Sequence, residues 1–119
     1  MIVGGHVVVY VSDMSRAVEF YTTCLGLKLA ARFGDHYAQV DAGKGLTLGL
    51  HPAGTGSPQP GTRGAVLITF GVTDAIENEV DALKARGVRF EGSVIDDGPV
   101  KLAYFADPDG NPLCLCASR

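Results

Sequence analysis

The sequence contains no tryptophan and only three cysteines, and its longest unbroken apolar runs are five residues, as from Val7 to Val11. Roughly 20 apolar residues are needed to cross a bilayer as a helix, so no such span is expected. Three cysteines without a Cys-x-x-Cys spacing argue against a disulfide framework, a zinc knuckle or a thioredoxin-type site, and fit reduced thiols. No excess of one charge is present either: 10 Lys and Arg oppose 13 Asp and Glu, a net charge of -3, with the basic residues scattered. Nucleic acid is therefore not an expected partner. No basic flank leads from Met1 into an apolar segment of signal-peptide length, so cytoplasmic residence is the expectation.

What the sequence does have is apolar material: 46% hydrophobic residues against 19% charged, in 119 residues. That suffices for one core, and it excludes a disordered chain. The whole of 1–119 reads as a single domain that repeats itself once. Val11-Ser12-Asp13 falls on Val72-Thr73-Asp74 at an offset of 61, and Gly26-Leu27 on Gly87-Val88.

Both halves follow one plan. Val7 to Val11 is β-branched and aromatic, and Ser12 and Asp13 offer side-chain oxygens to the free N–H groups of a starting helix. Met14, Ala17, Val18 and Tyr21 then recur at helical spacing, and Gly26 stands at a C-cap. In the second half Val66 to Val72 is the strand, Asp74 and Glu77 have capping-box spacing, Ile76, Val80 and Leu83 form the buried helix face, and Gly87 is the stop. Three more strands follow each helix, near 27–33, 37–40 and 46–50, then near 88–94, 100–105 and 113–116. The last two strands of each half are joined by Gly-containing turns, 41–45 and 107–111, which align at an offset of 66 and imply about five extra residues near 95–99.

The expected class is therefore α+β: two βαβββ modules in tandem, 1–51 and 65–119, helices outside, joined by a Pro-, Gly- and Ser-rich linker over 52–64. A unit of about 50 residues is too small to stand alone, so the modules are expected to pack, leaving an open, curved sheet cleft for a ligand.

At this point the sequence resembles the vicinal oxygen chelate superfamily, which includes glyoxalase I, fosfomycin and bleomycin resistance proteins, extradiol dioxygenases and methylmalonyl-CoA epimerase. The carrying segments are Gly5 to Asp13, Ala17-Val18-Glu19-Phe20-Tyr21 leading to Leu25-Gly26-Leu27, and Tyr104 to Asn111. The resemblance implies paired modules wrapping an open barrel, commonly a homodimer, in whose enzymes four inner side chains hold a divalent metal. The first of those positions is His6. The others align with Leu48, Leu67 and Cys114, where the enzymes carry a polar ligand, His and Glu. Leucine has no lone pair, so the usual site is expected to be lost, with no metal and no cofactor.

The candidate ligand-binding residues are thus His6, Val8, His36, Leu48, Leu67, Thr69, Tyr104 and Cys114, mostly apolar walls with a few polar points. Tyr104 stands where fosfomycin-resistance relatives place a ligand-contacting tyrosine, and the repeat equates it with Ala38. The bland alternatives are a core histidine for His6, a surface one for His36, solvent or the linker for His51, inert packing thiols for Cys114 and Cys116, and solvated charge for Arg63 and Lys101. The leading reading is a metal-free, homodimeric protein that sequesters a small apolar or aromatic molecule without transforming it. The alternatives are a metal-dependent lyase, epimerase, dioxygenase or thiol transferase, and a metal-independent enzyme using Tyr104 or His6.

Overall fold

The structure, a computed structural model, describes residues 1, 5–64, 66–73 and 75–118. It divides into two compact units, Met1–Thr62 and Arg63–Arg119. Each carries one four-stranded sheet with helix on one face, so the α+β class and the tandem βαβββ plan are both present.

In the first unit β1 (Val7–Val11) leads into α1 (Met14–Glu19), whose cap is Asp13, its side chain accepting from the Arg16 N–H. The helix continues as a wider π-helical turn, Phe20–Cys24, and stops at Gly26, whose φ of 78° only glycine adopts without strain. Strands β2 (Lys28–Phe33), β3 (Tyr37–Ala42) and β4 (Leu46–Pro52) follow, in the sheet order β1-β4-β3-β2. The core lies between helix and sheet. Met14, Ala17, Val18 and Tyr21 are buried, and so are Val9, Val11, Ala38, Val40, Leu48 and Leu50, every second residue of their strands.

The second unit repeats this with β5 (Ile68–Val72), α2 (Ile76–Ala85), β6 (Ile95–Asp97), β7 (Val100–Ala106) and β8 (Pro112–Ser118), in the order β5-β8-β7-β6. Ile76, Val80 and Leu83 are buried with Ala103, Phe105, Leu113 and Leu115. Val66 and Leu67 precede the strand rather than belong to it. The expected Asp74 cap lies outside the described residues; Ala75 stands at the N-cap and makes no side-chain bond.

Two expectations are corrected. The strand expected over 88–94 is reduced to a single bridge, Phe90 to Phe105, and the regular strand forms later, at Ile95–Asp97. The turn alignment also slips by one. In the parallel ladders Val7 pairs with Leu48 and Ile68 with Leu113, so the last strands repeat at an offset of 65 rather than 66. The whole hairpin repeats at 65: Ala38 pairs with Leu50 and Ala103 with Leu115, and Asp107 bonds to Asn111 across the second turn as Ala42 faces Leu46 across the first, so Asp107 is the counterpart of Ala42 rather than of Asp41. Asp41 is a strand residue whose carboxylate accepts from Thr47 Oγ1 at 3.0 Å, while Asp107 lies inside its turn and accepts from the N–H groups of Asp109 and Asn111 at 3.0 and 2.8 Å and from Asn111 Nδ2 at 2.8 Å. The two aspartates look equivalent in sequence and do different jobs.

The linker is two local turns. Gly54 and Ser57 share three hydrogen bonds, and Thr62 donates to the Gln59 carbonyl through both backbone and hydroxyl.

Candidate functional site

A residue slip in a strand exchanges the two faces of the sheet, so the offset of 65 reassigns the candidate positions. Leu48 is a correction. It is fully buried, alternates with Leu50 on the helix-covered face, and cannot line the open face with His6. Gly49 occupies that place instead, paired with Val8 in the ladder.

The open face of the first unit carries Val8 and Tyr10 from β1, with His6 just before it, Thr47, Gly49 and His51 from β4, and Tyr37, Gln39 and Asp41 from β3. His6 and Tyr37 stack edge to face, centroids 6.1 Å apart, and Phe33 lies 6.4 Å from Tyr37. A second edge-to-face pair joins Tyr10 and His51 at 6.0 Å. The rings close over Gly49. A Cβ added there would lie 2.8 Å from His6 Cδ2 and 2.9 Å from the Tyr37 hydroxyl, so glycine is what lets the two rings meet. The Tyr37 hydroxyl in turn donates to Gln39 Oε1 at 3.4 Å. His36 stands apart from this set: it is exposed in the turn between β2 and β3, its N–H bonded to the Phe33 carbonyl.

In the second unit the ladders set Thr69 beside Cys114 and Cys114 beside Tyr104, on the face opposite Leu113, Leu115 and Phe105. Leu67, two residues before Thr69, belongs to the same alternation. With the corrected register Tyr104 is the counterpart of Gln39 rather than Ala38. Burial pushes the Cys114 thiol above its ordinary pKa, a direction that the neighbouring Cys116 reinforces, and its Sγ lies 3.2 Å from the Leu115 carbonyl. A buried thiol with a raised pKa is a packing group rather than a nucleophile.

Beside these residues lies an open hollow of about 360 Å³, lined by Arg63, Gly64, Val66, Leu67, Tyr104 and Pro112. The Arg63 guanidinium donates from Nε to the Gly110 carbonyl at 3.2 Å and grips the Glu91 carboxylate with both terminal nitrogens, at 3.3 and 2.8 Å. The Glu91 N–H bonds to the Tyr104 carbonyl at 2.8 Å, which ties the Arg63 clamp to the strand carrying Tyr104.

The four positions that the resemblance assigns to metal ligands fall, after correction, on His6 and Gly49 in the first unit and on Leu67 and Cys114 in the second. Two of them offer no donor, and the space at Gly49 is already filled by the His6 and Tyr37 rings. Among the described residues no three His, Cys, Asp or Glu side chains are grouped to hold an ion. The residues present do not fit a divalent centre.

Sequence reasoning missed Gln39 and Gly49 and made no use of Tyr37, while His51 is exposed, as expected. The available signal was the alternation in β3, where Ala38 and Val40 are buried between half-exposed Tyr37, Gln39 and Asp41.

Residues 5–115 match the model of the Glyoxalase/Bleomycin resistance protein/Dioxygenase superfamily. The chain is 31% identical to a probable chloroplastic lactoylglutathione lyase of Arabidopsis thaliana over 88% of its own length, and spans about a third (33%) of that protein. Among solved structures it is similar to TnmS3, an antibiotic-binding protein from Streptomyces sp. CB03234, at 30% identity and TM-score 0.77 over 100% of both chains. A glyoxalase/bleomycin resistance protein/dioxygenase from Nocardioides matches at 26% identity and TM-score 0.76, covering 99% of this chain and 86% of that one.

Proposed function

The chain belongs to the glyoxalase/bleomycin resistance protein/dioxygenase superfamily, and on that premise we propose that it is a metal-free protein that binds and sequesters a small apolar or aromatic molecule. The observation that carries this reading is the donor set. Each unit lacks a lone pair at a position that the resemblance assigns to a metal ligand, Gly49 in the first and Leu67 in the second, while Val66, Leu67, Pro112 and Tyr104 give the second unit an apolar hollow with few polar points. The likeness to an antibiotic-binding protein supports it. Capture works by mass action: burial of apolar ligand surface supplies about 25 cal/mol per Å², and a few hydrogen bonds set orientation. No chemical step is required of Cys114, whose thiol is held protonated by burial. The reading takes the chain as a homodimer, which light scattering of the purified protein tests.

A thermal-shift screen against apolar and aromatic small molecules tests binding, since a ligand of the native state raises the melting temperature as its concentration climbs. Protein purified without added ions is expected to hold no stoichiometric divalent metal. One equivalent of zinc, nickel, iron or manganese by elemental analysis, lost together with activity in His6→Ala, would overturn the reading. The lyase relative motivates the alternative of metal-dependent chemistry, and that same result would install it.

A further inference from the structure

Resting on the binding reading, we propose that the hollow of the second unit selects a neutral, apolar ring compound bearing a carbonyl-type acceptor, and that Glu91 sets this choice by cancelling the charge of Arg63. The hollow holds one cation, Arg63, and its walls are otherwise apolar apart from the Tyr104 phenol. Arg63 is 48% exposed and Glu91 47%, and they meet in a two-pronged ion pair that carries no net charge. A guanidinium has five N–H donors. Three are used, by the Gly110 carbonyl and the two Glu91 oxygens, which leaves one N–H on each terminal nitrogen.

The Tyr104 hydroxyl likewise takes no partner among the described residues. The hollow therefore offers hydrogen-bond donors without offering a charge. An anionic ligand meets the Glu91 carboxylate as well as Arg63, in a chain whose net charge is already -3. A ligand with no acceptor would cover the Tyr104 hydroxyl and the spare N–H groups without satisfying them, a loss of about 5- to 150-fold in affinity for each group left fully buried. A neutral carbonyl oxygen on an apolar body avoids both penalties.

Three naphthalenes of matched shape test this: 2-acetylnaphthalene, 2-isopropenylnaphthalene, which replaces the carbonyl oxygen by a methylene, and 2-naphthoate. Isothermal titration calorimetry reads the affinity of each compound directly. The acetyl compound is expected to bind about tenfold more tightly than either of the others. Tyr104→Phe should shrink its advantage over the isopropenyl compound several-fold. Glu91→Gln, which frees the Arg63 charge, should turn the order around in favour of naphthoate, a gain of affinity that a merely damaged protein could not show. Naphthoate binding best to the unaltered chain, isopropenyl binding as well as acetyl, or a Glu91→Gln protein with unchanged ratios would each overturn the inference. If none of the three binds while the thermal-shift screen finds other ligands, this inference falls alone; if the screen is also empty, the binding reading falls with it.

Discussion

Replacing Gly49 by alanine probes the closure of the His6 and Tyr37 rings over β4. The added methyl would sit 2.8 Å from His6 Cδ2, 2.9 Å from the Tyr37 hydroxyl and 3.0 Å from Tyr37 Cε1. Ordinary contact begins near 3.4 Å, so these atoms must retreat by 0.4 to 0.6 Å. His6 is exposed and can swing, whereas the Tyr37 ring is flanked by both His6 and Phe33. Overpacking of this kind costs about 1–3 kcal/mol. Against it stands a gain of about 0.5–1 kcal/mol from restricting the unfolded chain when a strand glycine becomes alanine. The steric term wins, for a net loss of about 1 kcal/mol and a fall in melting temperature of roughly 4 °C.

Gly71→Ala supplies the control. Gly71 is also a strand glycine, in β5, but a Cβ there meets nothing within 4 Å, so only the favourable term remains and the variant should be neutral or slightly stabilised. Thermal and urea unfolding of both variants, and of Gly49→Ala combined with His6→Ala, give the measurement. Removing the His6 ring should recover part of the Gly49→Ala loss, a coupling of about 0.5 kcal/mol or more. If Gly49→Ala proves as stable as Gly71→Ala, and if the His6→Ala background makes no difference, the rings do not close over Gly49 and the corrected face assignment is wrong.

Other consequences follow from the same register. Leu48→Ala should cost about 3 kcal/mol in urea unfolding, as a fully buried core leucine does, while Val8→Ala, on the open face and 42% exposed, should cost less than about 1 kcal/mol; equal losses would contradict the assignment. Cys114 should react with iodoacetamide at least about tenfold more slowly than Cys24 or Cys116 at neutral pH, as read by peptide mass spectrometry, because it is buried and the other two are partly exposed. The folded-state pKa of Cys114 is raised, so the unfolded chain ionises first and stability falls as pH rises through the ordinary thiol range. Cys114→Ala should flatten the decline in urea midpoint between pH 7 and pH 10, and an unchanged slope would remove the thiol as its cause. Asp107→Ala strips three hydrogen bonds from the 107–111 turn and should cost about 2–4 kcal/mol, with Asp107→Asn losing less; a neutral Asp107→Ala would show the turn to be held otherwise.

The sequence by itself determined the modules, their element types and most of the core, because those follow from local rules. The helix face of Met14, Ala17, Val18 and Tyr21 is a 3.6-residue period, the stops at Gly26 and Gly87 are positive-φ positions, and the β-branched runs are strands wherever they lie. It also determined that Leu67 carries no lone pair. What only the tertiary structure decided was the one-residue register that separates Leu48 from Gly49 and Ala38 from Gln39. That register is fixed by ladders between strands distant in sequence, which set Asp107 opposite the place of Ala42 although in sequence it looks like the repeat of Asp41. The pairing of Arg63 with Glu91, 28 residues apart, belongs to the same class of fact. Chain composition contains both charges, but only the folded backbone brings them to the mouth of one hollow, where their cancellation changes what that hollow can hold.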